Sequence, residues 1–262
     1  MSTDRIVFET GAASDKGLVR AVNEDAYLLR PGIGVWVVSD GMGGHSAGQF
    51  ASHMVVDGLS GIDGHDDAAA LVADCSKRLA AVNDRLREAA QSMGHERSGA
   101  TVVALILHET TFACLWCGDS RIYRVRAGMI QQLTRDHSEV EELIGRGLIS
   151  RDDAKSWPRK NVITRAIGVA ETLAVETLSG EIEFDDVFLL CSDGLTAHLS
   201  DAEIGATCVV DDVQEAADRL VAATLERGAK DNVTVIVVRC IQREPTVLDF
   251  TGMPRANWAR VP

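Results

Sequence analysis

Short runs rich in Val, Ile and Leu recur along the chain, and turn-forming residues separate them. Such runs predict β-strands, because β-branched side chains fit a pleated, partly buried surface. The predicted strands are, in chain order, Ala26–Leu29, Val35–Val38, Thr101–Leu107, Thr111–Trp116, Arg121–Val125, Val187–Cys191 and Val233–Cys240. Ala127-Gly128 stands between Arg121–Val125 and the run Met129–Leu133, which predicts a hairpin turn at this point.

Apolar residues spaced three and four apart predict helices in other parts of the chain. The predicted helices are Gln49–Leu59, Asp66–Ser92, Val213–Glu226 and a shorter pair over about Ser138–Gly145 and Ser150–Trp157. Ser138 with Glu141, and Ser200 with Glu203, have the spacing of a capping box, in which two side chains satisfy backbone N–H groups at a helix start. Helices are therefore expected to begin at these two serines.

The order of these elements predicts the fold class. The strands are mostly grouped, so we expect an α+β protein with packed antiparallel sheets covered by helices, rather than a parallel sheet. Residues 137–162 are polar and helix-prone, which predicts an excursion from the core. No repeat or long linker precedes about residue 243, so residues 1–242 are expected to form one domain. Residues 243–262 hold three of the five prolines and are predicted to form a loosely attached tail.

The chain is acidic, with a formal net charge of −13 over 262 residues. A surface of this sign repels nucleic acids and anionic membranes, so neither is an expected partner. It would also repel a phosphorylated substrate, so a site for one needs local positive charge from metal ions, arginine or both. Arg20 is a candidate, because a guanidinium group binds phosphate through a planar fork.

The sequence shows neither a hydrophobic signal region at its start nor an apolar run near the roughly 20 residues of a membrane helix. Most of the six cysteines lie inside apolar runs, where Cys behaves as a small buried hydrophobe. We therefore expect a reduced, cytoplasmic setting.

Several aspartates stand at the ends of apolar strands. Asp40, Asp119 and Asp193 each follow such a strand, and Asp231 with Asn232 stands directly before another. If the strands lie side by side, these carboxylates come together and repel one another unless some are protonated or cations bind between them. Hard cations such as Mg²⁺ and Mn²⁺ take oxygen ligands of this kind. Each aspartate taken alone is more typical of an ordinary turn.

Short motifs in a fixed order surround these aspartates. They are Arg20-x-x-Asn23-Glu24-Asp25, Ser39-Asp40-Gly41-Met42-Gly43-Gly44-His45, Ser98-Gly99-Ala100-Thr101, Cys117-Gly118-Asp119-Ser120-Arg121-Ile122-Tyr123, Leu133-Thr134-Arg135-Asp136-His137-Ser138, Ile163-Thr164-Arg165-Ala166-Ile167-Gly168, Ser192-Asp193-Gly194-Leu195 and Lys230-Asp231-Asn232-Val233-Thr234. With them the chain resembles the metal-dependent protein serine/threonine phosphatases of type 2C, in their compact bacterial form. The resemblance covers roughly residues 10 to 240 and implies two antiparallel sheets sandwiched between helical layers.

The resemblance also implies a set of metal ligands. Asp40 would bridge two ions, with the Gly41 carbonyl on one of them, and Asp193 and Asp231 would complete the other. Glu24 and Asp25 would contact the ion on the Gly41 side directly or through water. Asp119 together with Asp193 would hold a third, weaker ion, so two or three Mn²⁺ or Mg²⁺ ions per chain are expected.

Two further residues have implied catalytic roles. Arg20 would grip the substrate phosphate. Animal members of the family carry a histidine at the position of Met42, often assigned as the acid that protonates the leaving alkoxide; here the nearby histidine is His45. His45 is therefore the candidate acid, although capping or packing at a helix start explains it about as well.

The implied reaction is hydrolysis of phosphoserine or phosphothreonine in proteins, without a phosphoenzyme, by a water activated between two metal ions. Neither Cys114 nor Cys117 is then needed as a nucleophile. The expected partners are phosphorylated proteins, among them a serine/threonine kinase and its targets, and the enzyme is expected to act as a monomer. Residues 137–162 match the family's flap, and the basic residues there could either contact the substrate peptide or be solvated.

Two other functions stay open at this point. The chain could be a catalytically inactive module that recognises phosphoproteins, although Asp40, Asp193 and Asp231 are all present. It could also be a metal-dependent phosphodiesterase acting on nucleotides, although its acidity disfavours polymeric nucleic acid.

Overall fold

The computed structural model describes residues 6–43, 46–65, 67–93 and 98–242. His45 and the predicted tail 243–262 lie outside the described residues. The strands are β1 (Ile6–Asp15), β2 (Asp25–Arg30), β3 (Val35–Met42), β4 (Gly99–Ala100), β5 (Val102–His108), β6 (Thr111–Cys117), β7 (Arg121–Arg126), β8 (Met129–Gln132), β9 (Glu176–Glu181), β10 (Val187–Cys191) and β11 (Val233–Gln242). The helices are α1 (Ser46–Ser60), α2 (Ala68–Met93), α3 (Glu139–Gly145), α4 (Arg151–Lys155), α5 (Asp193–Thr196), α6 (Asp201–Thr207) and α7 (Val213–Glu226), and a single 3₁₀ turn spans Pro31–Ile33.

The strands form two antiparallel sheets. One sheet has the order β1-β11-β10-β7-β8, and the other has the order β2-β3-β5-β6-β9, with β4 paired to β3. Trp36 and Val38 of β3 face the space between the sheets, where they meet Phe188 and Ile236 of the other sheet. Helices cover the outer faces: α1 and α2 lie on the β3 sheet, and α7 lies on β1 and β11. The predicted α+β class, with two antiparallel sheets sandwiched between helical layers, is confirmed.

Burial on both faces explains why the central strands are continuously apolar. Val35 and Val37 alternate with Trp36 and pack outward against the first two helices. Each such side chain contributes about 1.5–3 kcal/mol when it is buried. The central strands of both sheets therefore form a stiff support whose ends stay in place.

The pattern of apolar residues does not predict β1 and β9, because neither strand has a long run of apolar side chains. β9 is an edge strand with mostly exposed side chains, and β1 contains Gly11 and several small or polar residues. β1 nevertheless pairs with β11 over its full length. The predicted hairpin is present, with Ala127 at φ 49° and Gly128 at φ 76° between β7 and β8.

The capping boxes differ from the prediction in one case. Ser200 and Glu203 form a complete box at the start of α6. Ser138 accepts a hydrogen bond from the Glu141 amide, but the Glu141 carboxylate pairs with Arg135 and Arg151 instead of closing the box. No helix among the described residues combines the length and apolar character needed to cross a bilayer.

Close backbone packing joins the first turn of α5 to the residue before β11. A Cβ at Gly194 would lie 1.9 Å from the Asn232 carbonyl oxygen, which is far inside van der Waals contact. Gly194→Ala is therefore expected to lower the free energy of unfolding by at least about 2 kcal/mol, measured by urea denaturation. Gly32→Ala is the matched control, since nothing lies within 4 Å of a Cβ there. Equal stability of the two variants would contradict the proposed tight packing.

Candidate metal centre

The acidic residues singled out from the sequence lie at neighbouring ends of the two sheets. Asp25, the first residue of β2, pairs in register with Asp40 of β3. Asp193 opens α5, with only Ser192 between it and the end of β10, and Asp231 stands two residues before β11. Because β10 and β11 are antiparallel neighbours, the end of one and the start of the other meet at one edge. Both sheets therefore contribute carboxylates to one region.

These residues surround an open cleft of about 230 Å³. The side chains and backbone that line it are those of Arg20, Glu24, Asp40, Gly41, Met42, Gly43, Thr101, Asp119, Asn161, Ile163, Asp193 and Asp231. Every predicted metal-site residue except Asp25 is in this set. Asn161, near the end of the flap, and Ile163, just after it, also border the cleft, so the flap adjoins the acidic centre.

Asp25 is buried, and only one of its oxygens is satisfied. Its Oδ2 accepts hydrogen bonds from the hydroxyl groups of Ser192 and Thr234, each at 2.7 Å. Its Oδ1 is buried and has no hydrogen-bond partner. Burial raises the pKa of this carboxyl to about 7, against the opposing effect of the two hydroxyl groups. An orphaned carboxylate oxygen of this kind fits a nearby cation or a water bound to one.

Asp40 is held by its own backbone. Its N–H donates to the Thr101 hydroxyl at 3.0 Å, its carbonyl accepts from the Thr101 N–H at 2.8 Å, and the Thr101 hydroxyl also pairs with that of Ser120 at 2.7 Å. Burial raises the pKa of the Asp40 carboxyl well above its usual range, and the negative charges of Asp25 and Asp193 raise it further. The backbone thus fixes Asp40 in a place where its charge is unfavourable without a counter-ion.

The pKa values of Asp193 and Asp119 are also raised by burial and by neighbouring carboxylates. Burial and then the neighbouring Asp231 raise the pKa of Asp193, while a hydrogen bond between the Asp193 and Asp40 side chains opposes the shift. Burial and the charge of Asp193 raise the pKa of Asp119 to about 8. In the absence of cations, the cluster must therefore hold protons near neutral pH.

The turn that carries Asp119 is tied to the base of the flap. Gly118 adopts φ 117°, and its N–H donates to His137 Nδ1 at 3.1 Å while its carbonyl accepts from the His137 N–H at 2.8 Å. The other ring nitrogen of His137 lies 3.1 Å from the Glu176 carboxylate. The first residue of the flap thus positions the residue before Asp119.

The donor set fits divalent cations. The cleft carboxylates supply oxygen ligands, which suit hard ions. The raised pKa values of these carboxyl groups indicate that a positive charge is electrostatically favoured in the cleft. Within the described ranges, no three His, Cys, Asp or Glu side chains already stand in a closed ligand arrangement. Ion binding is therefore expected to move side chains within the cleft, with the strand ends as fixed points.

Arg20 contacts one of the predicted ligands. Its Nη2 donates to Asp231 Oδ2 at 2.7 Å, and the two side chains are 49% and 39% exposed. Asp231 Oδ1 accepts from the Asn232 N–H at 2.9 Å. Arg20 keeps further N–H donors and a solvent-facing side, so it lies where a phosphate in the cleft could share it.

Asn232 is a site residue whose importance the sequence did not show. Its Oδ1 accepts from the Glu24 N–H at 2.8 Å, and its Nδ2 donates to the carbonyls of Lys16 and Val22, both at 2.9 Å. It therefore links the Arg20 loop, the start of β2 and Asp231. The sequence places it in the motif Lys230–Thr234 but indicates no role for its side chain, because its partners lie more than 200 positions away in sequence.

Glycines allow α1 to approach the site. A Cβ at Gly41 would lie 2.1 Å from the Gly48 carbonyl oxygen, and a Cβ at Gly48 would lie 2.6 Å from Glu24 Oε1. The Gly41 N–H donates to the Glu24 carbonyl at 3.1 Å. Side chains at either glycine would push α1 away from Glu24 and the end of β3.

The basic residues predicted as possible peptide contacts in the flap mostly bind acidic groups of the flap itself. Arg151 lies 3.2 Å from the Glu141 carboxylate, and Arg159 lies 2.9 Å from that of Glu139. The Trp157 indole donates to Glu139 at 3.2 Å. These contacts favour internal cohesion of the flap over an open basic surface.

The two cysteines weighed for other chemistry lie on opposite faces of β6. Cys114 belongs to the core between the sheets, and Cys117 belongs to the core under the helices. Burial raises the pKa of each thiol to about 12. Neither is suited to act as a nucleophile, and the two cannot share a zinc ion.

Comparison with known proteins identifies relatives of this arrangement. A profile of the protein phosphatase 2C family matches residues 19–234. The serine/threonine protein phosphatase PstP of Mycobacterium tuberculosis is 34% identical over 238 residues, which cover 90% of this chain and 46% of PstP. The serine/threonine phosphatase stp of Listeria innocua is 36% identical over 236 residues, covering 86% of this chain and 93% of stp.

Solved structures agree with these matches. PppA, described as a key regulatory component of T6SS in Pseudomonas aeruginosa, superposes with a TM-score of 0.85 at 40% identity, over 91% of this chain and 100% of the PppA chain. The catalytic domain of PstP in complex with two manganese ions has a TM-score of 0.82 at 32% identity, over 90% of this chain and 100% of that domain. This chain spans about half the length of PstP itself.

The raised carboxyl pKa values predict how stability depends on pH. A carboxyl whose pKa is higher in the folded than in the unfolded protein stabilises the fold fully only below its unfolded pKa, and that contribution is lost as pH rises through the folded value. With folded values of about 7 for Asp25 and about 8 for Asp119, the metal-free protein should lose stability as the pH rises from about 4 to about 8, by on the order of 1 kcal/mol per pH unit for each carboxyl, and should lose little more above pH 8.

Thermal melts in EDTA and in excess Mn²⁺ test this expectation. The melting temperature in EDTA should fall from pH 5 to pH 8, and the fall should be much smaller with Mn²⁺, which replaces the protons. Asp119→Asn removes one titrating group and should flatten the EDTA curve in part. Parallel curves in EDTA and Mn²⁺ would contradict the assignment of these carboxyls to a cation site.

Proposed function

Because the chain belongs to the protein phosphatase 2C family, we propose that it is a metal-dependent phosphatase that removes phosphate from phosphoserine and phosphothreonine in proteins. The observation that carries this proposal is the convergence of carboxylates from both sheets on one cleft beside Arg20. Relatives named serine/threonine phosphatases, one of them matched over 93% of its length, support the substrate class. An enzyme of this class opposes a serine/threonine kinase, so such a kinase and its targets are the proposed partners.

Two Mn²⁺ or Mg²⁺ ions are proposed to bind at the cleft, as two manganese ions do in the catalytic domain of PstP. Asp40, Asp193, Asp231 and the Gly41 carbonyl would hold them, with Glu24 beside the Gly41 carbonyl. Bound divalent cations supply a water of lowered pKa and neutralise the charge that develops on the phosphate. A third ion is proposed at Asp119 and Asp193.

Asp25 is proposed to support the metal site through a bound water, without contacting an ion directly. Two hydroxyl groups fix its Oδ2, so its unsatisfied Oδ1 is held in one direction, next to its register partner Asp40. Such an oxygen can accept a hydrogen bond from a water on the neighbouring ion. The Asp25 carboxylate also places a negative charge beside Asp40, but it would not compete with Asp40 for direct contact with an ion in the cleft.

Arg20 is proposed to bind the substrate phosphate. In the structure its guanidinium pairs with Asp231, which itself is a proposed ligand. When an ion takes Asp231, the guanidinium can turn its fork to the phosphate oxygens, and one exposed side chain then links ion binding to substrate binding. The acid that protonates the leaving oxygen stays a proposal for His45, which lies outside the described residues.

Replacing a bridging ligand tests the metal-dependent step. Asp40→Asn and Asp193→Asn should each lower kcat on a phosphothreonine peptide at least about 10³-fold in saturating Mn²⁺, because the ions lose a charged ligand. Both variants should melt no lower than the wild type in EDTA, since each removes a repelled carboxylate. Asp84→Asn, at an exposed position of α2, is the matched control. Full activity of either variant, or of the wild type in excess EDTA, would refute the mechanism.

Substitution of Arg20 separates substrate binding from chemistry. Arg20→Ala should raise KM for a phosphothreonine peptide about 10–100-fold, because charge-assisted bonds to the phosphate are lost, and Arg20→Lys should recover only part of this. Initial rates at fixed Mn²⁺ measure both constants. Arg219→Ala, which breaks an exposed ion pair with Glu215 on α7, serves as the control. An unchanged KM in Arg20→Ala would exclude a phosphate contact.

A further inference from the structure

The loop that carries Arg20 is held in shape by its backbone. We call residues 16–22 the arginine loop. The Asn232 side-chain amide donates to the carbonyls at both of its ends, Lys16 and Val22. Within it, Gly17 adopts φ 75°, and the Leu18 N–H donates to the Ala229 carbonyl at 2.9 Å. The loop therefore does not depend on burial of its side chains to keep its form.

Apolar side chains of the arginine loop nevertheless face solvent. Leu18 is 65% exposed, Val19 is 68% exposed and Val22 is 40% exposed. They flank Arg20, whose side chain lines the cleft. Single exposed apolar residues are ordinary, but a contiguous group on a fixed loop at the edge of a binding cleft is typical of an interaction surface.

A second apolar surface borders the cleft from the other sheet. We call Met42, Ile163 and Val169 the methionine wall. Met42 and Ile163 line the cleft. The Met42 Cε and Val169 Cγ2 atoms both lie 3.0 Å from the place where a Cβ on Gly99 would stand, so these two side chains are neighbours. Val169 is 54% exposed, which leaves this surface open to a ligand.

We propose that the arginine loop and the methionine wall bind the residues on either side of the phosphorylated residue, so that the preferred substrate is a protein segment with apolar side chains flanking phosphothreonine or phosphoserine. This inference rests on the proposed phosphatase function. The arginine loop belongs to the β11 side of the cleft and the wall to the β3 side, so a chain crossing the cleft meets both. A methionine at the centre of the wall adapts to different apolar side chains.

The charges around the cleft agree with this choice. The cleft carboxylates are the proposed ligands of the ions, and Arg151 and Arg159 of the flap pair with Glu141 and Glu139. Recognition of flanking acidic residues by the flap would have to break these pairs. Apolar contacts need no such exchange, so they are the available source of sequence preference.

A panel of phosphothreonine peptides tests the proposal. The peptides differ only at the residues adjacent to phosphothreonine, which are Leu and Val, Ser and Ser, or Glu and Glu. With wild type in saturating Mn²⁺, kcat/KM should be about 10-fold higher for the Leu/Val peptide than for the Ser/Ser peptide, the factor expected for burial of one or two apolar side chains. The Glu/Glu peptide should be the poorest.

Variants assign the preference to the two surfaces. Leu18→Ser/Val19→Ser and Val169→Ser should each lower the Leu/Val to Ser/Ser ratio of kcat/KM by about 3-fold or more. Met129→Ser/Val209→Ser is the matched control, since these exposed apolar residues are 73% and 62% exposed and do not border the cleft, and it should leave the ratio unchanged. Thermal melts establish that each variant is folded.

The possible outcomes are distinct. Equal rates on all peptides by wild type, or a ratio that survives in both surface variants, would overturn this inference and leave the phosphatase function intact. Absence of Mn²⁺-dependent hydrolysis of every peptide would overturn both. If wild type is a dimer by sedimentation, and Leu18→Ser/Val19→Ser is a monomer with an unchanged ratio, the loop is a contact between two copies and the inference is wrong.

Discussion

The structure is organised around carboxylates that are forced together at the edge of a core. Asp25 and Asp40 are paired in register on neighbouring strands, so the repulsion between their charged forms is built in by strand pairing and cannot be relaxed by moving a loop. Burial, and after it the charges of neighbouring carboxylates, raise the pKa values of Asp25 and Asp119. Cations are the natural partners of such a cluster, and the fold holds the carboxylates ready for them.

Rigidity of the surroundings makes this arrangement possible. The strands that end at the cleft are apolar on both faces and buried between the second sheet and the helices, so their ends have little freedom. Glycines at 41, 48 and 194 let backbone segments approach more closely than any other residue would allow. Hydroxyl groups of Thr101, Ser192 and Thr234 then fix Asp40 and Asp25 at the level of single atoms.

Strands that are buried on both faces can be predicted from the sequence, whereas strands held mainly by hydrogen bonds to a neighbouring strand cannot. Val35–Val38 and Val233–Cys240 are recognisable as strands because both faces are buried, whereas β9 is an exposed edge strand held by hydrogen bonds to β6. The acidic residues are identifiable as strand-end residues, but their convergence depends on the order of strands, which only the family resemblance indicated. Ser192, Thr234 and Asn232 belong to the quoted motifs, but the sequence assigned them no role, because their hydrogen-bond partners are distant in sequence.

The flap leaves and re-enters the core at adjacent points, because Ser138 bridges Ile163, and the His137 and Thr164 backbones are joined by a 2.7 Å hydrogen bond. An insertion closed at its root in this way can change in length at small entropic penalty, since loop-closure entropy grows only slowly with length. Its sequence can diverge, or be grafted from a homologue, without disturbing either sheet. Between its root residues, the flap is therefore a region whose length and sequence can vary while the strand ends that carry the carboxylates stay in place.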